Sequence, residues 1–149
     1  MLTIYLDTSA LLKRYLNEAG AEETRQFLER AEEIATIVIA RVETASALAR
    51  LAFSRSITEE EGERVWKEFS DDWTIITRLQ VTAQAIERAA SLARQYRLRG
   101  YDAVHLAAAL LWQESIGEQV TLATFDRDLW TAGRKAGMDV WPEGLVLDV

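Results

Sequence analysis

Several residue types are absent or rare in this chain of 149 residues, and each absence excludes a kind of site. There is no cysteine, which excludes disulfides, thiolate zinc sites and a cysteine nucleophile. Histidine occurs once, at His105, so metal motifs that need two histidines are excluded and a Ser-His-Asp triad has one candidate base. Any catalytic chemistry must therefore be built from carboxylates, hydroxyls and cations.

Proline occurs once and glycine seven times, and neither a low-complexity run nor a repeat interrupts the chain. Nothing marks an interdomain linker, so the sequence predicts a single domain over residues 1–149. No apolar stretch approaches the ~20 residues of a membrane span, and no charged-then-apolar leader opens the chain. We therefore expect a cytoplasmic protein that does not contact a membrane.

The net charge of −7 argues against a broad basic surface for nucleic acid. The net charge does not exclude a local group of basic residues around an acidic site.

Apolar periodicity predicts strands that alternate with helices. The predicted strands are residues 2–7, 34–40, 73–78, 120–126 and 138–141. The predicted helices are residues 8–20, 22–33, 41–56, 58–69, 82–100, 101–115 and 128–137. Such alternation favours a mainly parallel sheet covered on both faces, which is a three-layer α/β/α sandwich.

Four acidic residues stand at comparable positions in this pattern. Asp7 and Asp126 end predicted strands, Glu43 lies in the first turn after the strand 34–40, and Asp102 opens a predicted helix. Sites in open α/β sheets form outside the C-terminal ends of the strands, so the four acids meet if those strands are parallel neighbours. Alternatively, each acid caps a helix or complements its dipole. Capping is the better interpretation of a lone aspartate, whereas for all four together the two interpretations are evenly balanced.

Packing several carboxylates together has an energetic cost. Two like charges ~4 Å apart repel by about 4 kcal/mol at an effective dielectric of 20. Either their pKa values rise or a hard divalent cation neutralises them. Oxygen ligands select magnesium or manganese over zinc, and such ions promote phosphoryl chemistry.

Four motifs in order carry a resemblance to a known family: "LDTSAL", "VETASAL", "RGYDAVHLAAAL" and "LATFDRDLWTAGRKAG". Together they resemble the PIN-domain ribonucleases, and more narrowly the compact toxins of VapC type, from Asp7 to about Val140. The resemblance implies a PIN-like fold and a magnesium- or manganese-dependent endoribonuclease. Its acidic ligands then map to Asp7, Glu43, Asp102 and Asp126.

The resemblance also suggests supporting polar groups. Thr124 matches a hydroxyl two positions before the last acid, and Ser9 matches a small polar residue after the first. Each could hold a carboxylate or a metal-bound water, or simply cap a helix or strand end. Asp128 is a candidate further ligand through water, although a helix N-terminal acid is its favoured role. His105 is expected to be packed and hydrogen-bonded rather than catalytic.

The partners implied by the resemblance are an RNA substrate, a second copy of the chain in a homodimer, and a small antitoxin that threads a segment across the active site. Arg41, Arg99 and Arg127 flank three of the proposed ligands in sequence, which makes them the best candidates for RNA contacts. Any single surface arginine is more often a solvated charge.

Several alternatives remain open at this stage. A haloacid-dehalogenase-like phosphatase needs a second aspartate two positions after Asp7, where Ser9 stands. A flap-endonuclease-type DNA nuclease shares the acidic pocket but usually has more acids and a longer chain. A PIN-fold RNA-processing nuclease outside any toxin–antitoxin pair, or a non-catalytic PIN-like binding module, also matches the motifs. The sequence does not specify which RNA is cut.

Overall fold

A central sheet of five parallel strands organises the chain in a computed structural model that describes residues 1–145. Residues 146–149, the last four of the predicted domain, lie outside this range. The strands are β1 (Thr3–Leu6), β2 (Glu33–Ile37), β3 (Thr77–Leu79), β4 (Thr121–Ala123) and β5 (Asp139–Trp141). The helices are α1 (Thr8–Lys13), α2 (Ala21–Glu29), α3 (Ala40–Phe53), α4 (Glu59–Trp73), α5 (Ala83–Tyr96), α6 (Gly100–Ile116) and α7 (Arg127–Lys135). The strand order across the sheet is β3-β2-β1-β4-β5.

Two apolar cores lie on opposite faces of this sheet. Because successive side chains of a strand point to opposite faces, Ile4 and Leu6 of β1 pack with α1 to α4 while Tyr5 packs with α5 to α7. All four residues of β1 are buried, as expected for a central strand of a sheet covered on both sides. The three-layer α/β/α sandwich is confirmed.

The register aligns the C-terminal ends of the central strands. Leu6 of β1 pairs with Ala123 of β4, and the Asp7 amide donates to the Ala123 carbonyl at 3.2 Å. β2 flanks β1 on the other side, with Tyr5 paired to Ala35. The residues that follow β1, β2 and β4 therefore emerge at one edge of the sheet.

Element types follow the predictions more closely than element boundaries do. The predicted strand 34–40 ends at Ile37, and the predicted strand 73–78 is β3, which starts only at Thr77 because α4 continues to Trp73. The first helix ends at Lys13, well before residue 20. The Thr58 side chain caps α4, since its hydroxyl accepts from the Glu61 amide at 3.0 Å.

Gly100 does not end α5, which corrects the prediction of one helix over residues 82–100. Arg97 adopts the left-handed conformation (φ 56°), and the Leu98 amide donates to the Ala93 carbonyl at 3.2 Å, which closes α5 at Tyr96. Gly100 is instead the first residue of α6. This early closure places Asp102 in the first turn of α6.

Within residues 1–145, no helix combines the length and the hydropathy needed to cross a membrane.

Candidate active site

Asp7 is buried where β1 passes into α1, with 4% of its surface exposed. Its Oδ1 accepts from the Ala10 amide at 2.9 Å and from the Ser9 hydroxyl at 2.7 Å, and its Oδ2 accepts from the Thr124 hydroxyl at 2.5 Å. Burial raises the pKa of Asp7, against the opposing effects of His105 and of these hydrogen bonds. Asp7 is therefore a helix cap and also a carboxylate held rigidly at the sheet edge.

Ser9 and Thr124 both contact Asp7, which is one of the two roles that the sequence left open. Each hydroxyl also accepts a hydrogen bond from a backbone amide of the loop after β4. The Phe125 amide donates to the Ser9 hydroxyl at 2.9 Å, and the Asp126 amide donates to the Thr124 hydroxyl at 3.0 Å. The two hydroxyls thereby join the loop after β4 to the carboxylate after β1.

Glu43 lies in the first turn of α3 and is partly buried. Its Oε1 accepts from the Thr8 hydroxyl at 2.8 Å and lies 2.7 Å from His105 Nε2. Burial acts to raise the pKa of Glu43, but the interactions with His105 and Thr8 outweigh it and hold that pKa below its usual value. Glu43 is accordingly ionised at neutral pH.

Asp102 and Asp126 share one guanidinium. Arg99 Nε lies 3.1 Å from Asp102 Oδ2, and Arg99 Nη2 lies 2.6 Å from Asp126 Oδ2. The other oxygen of Asp126 caps α7 by accepting from the Leu129 amide at 3.0 Å. Burial first, then the negative charges of Asp126 and Asp7, raise the pKa of Asp102 even though Arg99 opposes them. A cation thus already lies between two of the predicted ligands.

The four acids lie at one edge of the sheet without forming a closed cluster. Asp102 senses the charges of both Asp126 and Asp7, and the charges of Asp7 and Glu43 add to burial in raising the pKa of the Tyr5 phenol. Within the described part of the chain, no three histidine or acidic side chains are close enough to hold one metal ion. The donor chemistry nevertheless fits a hard divalent cation, because the donors are carboxylate oxygens and a guanidinium already occupies part of their space. Arg99 is 77% exposed, so it is free to move aside.

The three predicted RNA contacts are placed differently. Arg99 forms ion pairs with Asp102 and Asp126, and Arg127 is exposed at the start of α7. The Arg41 guanidinium instead packs over three rings of α4, at 4.5 Å from Trp66, 5.7 Å from Phe69 and 5.9 Å from Trp73.

Its Nη1 is buried, with no hydrogen-bond partner among residues 1–145. This cation–π packing joins α3 to α4 and does not favour Arg41 as an RNA contact. Asp128 is exposed in the first turn of α7, consistent with its favoured role as a helix N-terminal acid.

His105 is packed and hydrogen-bonded, as expected, but the identity of its partners was not predicted. Its ring nitrogens contact the Tyr5 hydroxyl and the Glu43 carboxylate, residues that are 100 and 62 positions away in sequence. The sequence signal was the presence of one histidine three residues after Asp102, which says nothing about partners on other elements.

The PIN domain family matches residues 4–135. The chain belongs to the PIN domain family. Ribonuclease VapC45 and Ribonuclease VapC49, from the CDC 1551 and H37Rv strains of Mycobacterium tuberculosis, are each 34% identical to it over 149 residues, which is 97% of this chain and 99% of the relative.

The PIN fold is also shared with solved structures. A toxin-antitoxin complex from Klebsiella pneumoniae contains a chain that superimposes with a TM-score of 0.66 at 20% identity, over 94% of this chain and 97% of that one. At this identity the likeness concerns the fold alone.

Proposed function

We propose that this PIN-domain protein is an endoribonuclease that hydrolyses RNA phosphodiester bonds with the help of Mg²⁺ or Mn²⁺. The observation that carries the proposal is the placement of Asp7, Glu43, Asp102 and Asp126, in family order, at one edge of the sheet. The names of the curated relatives, both called ribonucleases, support the choice of RNA as substrate.

In this proposal the four carboxylates hold the ion, directly or through water. When bound, such an ion lowers the pKa of water and offsets charge that develops on the phosphate. Ser9 and Thr124 keep the Asp7 carboxylate in one orientation through their hydrogen bonds to both of its oxygens. The base available to the attacking water in this proposal is a carboxylate of this set.

We further propose that the protein acts as the toxin of a toxin–antitoxin pair, as a homodimer. The matching chain of the Klebsiella pneumoniae structure belongs to a toxin-antitoxin complex, which supports an antitoxin as partner. Arg99 and Arg127 are the candidate RNA contacts, since both side chains are exposed. Arg99 contacts Asp126 in space, and Arg127 follows Asp126 in sequence.

The test compares cleavage of fluorescent RNA and DNA oligonucleotides of one sequence, with Mg²⁺, with Mn²⁺ and with EDTA. We expect RNA cleavage that requires the ion and falls at least about a hundredfold in Asp102→Asn, because loss of groups that merely orient a metal ligand already costs 10- to 100-fold. Asp139→Asn is the matched control, since Asp139 is exposed at the start of β5, at the opposite end of the strands. Full activity of Asp102→Asn, or undiminished cleavage in EDTA, would contradict the proposal.

A non-catalytic binding module is the second candidate. It is favoured by the absence, within residues 1–145, of three acidic or histidine side chains close enough for one ion. Failure of the wild-type protein to cleave any RNA of a transfer, ribosomal and messenger panel, together with unchanged stability in Mn²⁺, would favour this alternative.

A further inference from the structure

A buried chain of hydrogen bonds runs behind the candidate active site. The Tyr5 hydroxyl of β1 lies 2.7 Å from His105 Nδ1 of α6, and His105 Nε2 lies 2.7 Å from Glu43 Oε1 of α3. Tyr5 is fully buried and His105 is 2% exposed, and their rings meet edge to face with centroids 5.8 Å apart. Three separate elements thus converge on one imidazole.

The partners of the imidazole determine where its proton lies. An ionised carboxylate only accepts hydrogen bonds, so His105 Nε2 must carry the hydrogen that it shares with Glu43. Burial raises the pKa of the Tyr5 phenol well above its usual value, so the phenol keeps its proton and is able to donate it to Nδ1. Nε2 then acts as the donor of the imidazole toward Glu43, and Nδ1 as its acceptor toward Tyr5.

The two oxygens of Glu43 consequently differ. Thr8 and His105 both donate to Oε1, at 2.8 Å and 2.7 Å, whereas no donor from residues 1–145 contacts Oε2. Because Oε1 already accepts two hydrogen bonds, Oε2 is the oxygen of Glu43 that remains available to bind a cation. Outer partners that orient a metal ligand in this way are a recurring feature of metal sites.

We propose that His105, whose ring is held in place by its hydrogen bond with Tyr5, is a positioning residue that donates from Nε2 to Glu43 Oε1 and so orients the carboxylate with Oε2 presented to a divalent cation. This rests on the metal site of the proposed function. His105 itself is buried behind Glu43 and contacts neither the ion nor the RNA.

Two amide substitutions of His105 distinguish a role in positioning Glu43 from a role in packing alone. In His105→Gln the amide nitrogen reaches about as far as Nε2 and can still donate to Glu43. In His105→Asn the shorter amide ends near the level of Nδ1, within reach of Tyr5 and short of Glu43. Mn²⁺ affinity, measured by calorimetry without RNA, should stay within about threefold of wild type in His105→Gln and weaken roughly 10- to 100-fold in His105→Asn.

Equal Mn²⁺ affinities in His105→Asn, His105→Gln and the wild type would overturn the proposal, provided that circular dichroism melts show both variants folded. If both variants unfold, nuclear magnetic resonance on the wild-type protein decides instead. Because the chain contains one histidine, its two ring nitrogens give one unambiguous pair of ¹⁵N signals.

We expect a protonated Nε2 in the wild type, because this nitrogen donates to the Glu43 carboxylate. The Nδ1 signal should shift in Tyr5→Phe, which removes the partner of Nδ1, while both signals should stay unchanged in the control Asp139→Asn. An unprotonated Nε2 in the wild type, or an Nδ1 signal unaffected by Tyr5→Phe, would refute the assignment.

The positioning role and the proposed function can fail separately. If the protein cleaves no RNA but its Mn²⁺ affinity depends on the donor at position 105, the ribonuclease proposal fails and the positioning role stands. If it cleaves RNA while His105→Asn binds Mn²⁺ as tightly as the wild type, the positioning role fails and the ribonuclease proposal stands.

Discussion

Asp102 is a carboxylate whose ionised form the fold disfavours. Its pKa is raised by burial and by the charges of Asp126 and Asp7. A group whose pKa is higher in the folded than in the unfolded state binds its proton more tightly when folded. Its contribution to stability is therefore fully present below the unfolded pKa and is lost as the pH rises through the folded pKa.

We predict that, without metal, Asp102→Asn is more stable than the wild type at neutral pH. The advantage should shrink as the pH falls through the raised pKa toward the ordinary aspartate value of about 3.9, because the wild-type carboxyl is then also neutral. Urea unfolding in EDTA at several pH values measures the difference. An advantage that grows on acidification would contradict this account.

Arg99 competes with any cation for two of the four acids. Its guanidinium contacts both Asp102 and Asp126 while its side chain remains largely exposed. In Arg99→Gln we predict a Mn²⁺ affinity roughly two- to fivefold higher, the range expected from removing exposed ion pairs. Arg94→Gln, an exposed arginine in the last turn of α5, is the calorimetric control and should match the wild type. Weaker Mn²⁺ binding in Arg99→Gln would show that Arg99 organises the acids rather than blocking them.

Two helical glycines occupy opposite environments at the scale of elements. A Cβ at Gly62 of α4 would meet only Ile57 Cδ1, at an ordinary 3.6 Å. A Cβ at Gly133 of α7 would come within 2.6 Å of Leu122 Cδ2 and 3.2 Å of Val140 Cγ1, both in the sheet below. Gly133 thus permits the close approach of α7 to β4 and β5.

We predict opposite effects of alanine at these two positions. Gly62→Ala should raise the free energy of unfolding by up to about 1 kcal/mol, because alanine is the better helix former. Gly133→Ala should lower it by about 1–2 kcal/mol, since overpacking a core costs roughly 1–3 kcal/mol and outweighs the helix preference. Thermal and urea unfolding measure both, and a stabilised Gly133→Ala would mean that Leu122 moves aside freely.

The type and order of the elements were predictable because apolar periodicity reports each element locally. The element boundaries were less predictable, as the loop between α5 and α6 shows. There a glycine is the usual helix stop, yet Arg97 takes the left-handed conformation and Gly100 opens α6. A positive φ at a non-glycine residue depends on tertiary packing, which local preference does not report.

At the scale of the whole molecule, four carboxylates lie where the central strands end, in a chain whose net charge is −7. A cation that binds only the folded state should therefore stabilise the entire fold. We predict a gain of about 2.7 kcal/mol in Mn²⁺ at a hundredfold excess over its dissociation constant. Thermal melts at constant ionic strength measure the gain, and Asp126→Asn should reduce it. A shift reproduced by sodium alone would indicate general screening and no specific site.

The sequence by itself determined the alternation of strands and helices and the chemistry of the donors. With no cysteine and one histidine, only carboxylates were numerous enough to form a metal site, and their positions after predicted strands indicated one sheet edge. These features are local, so they can be recognised without knowing how the chain folds back on itself.

Only the tertiary structure decided which atoms meet. It joined His105 to Glu43 across 62 residues, turned Arg41 onto the rings of α4, and placed Arg99 between Asp102 and Asp126. Each pairing depends on strand register and on the rotation of a helix about its axis. Those quantities are set by the packing of the two cores, and no stretch of neighbouring residues contains them.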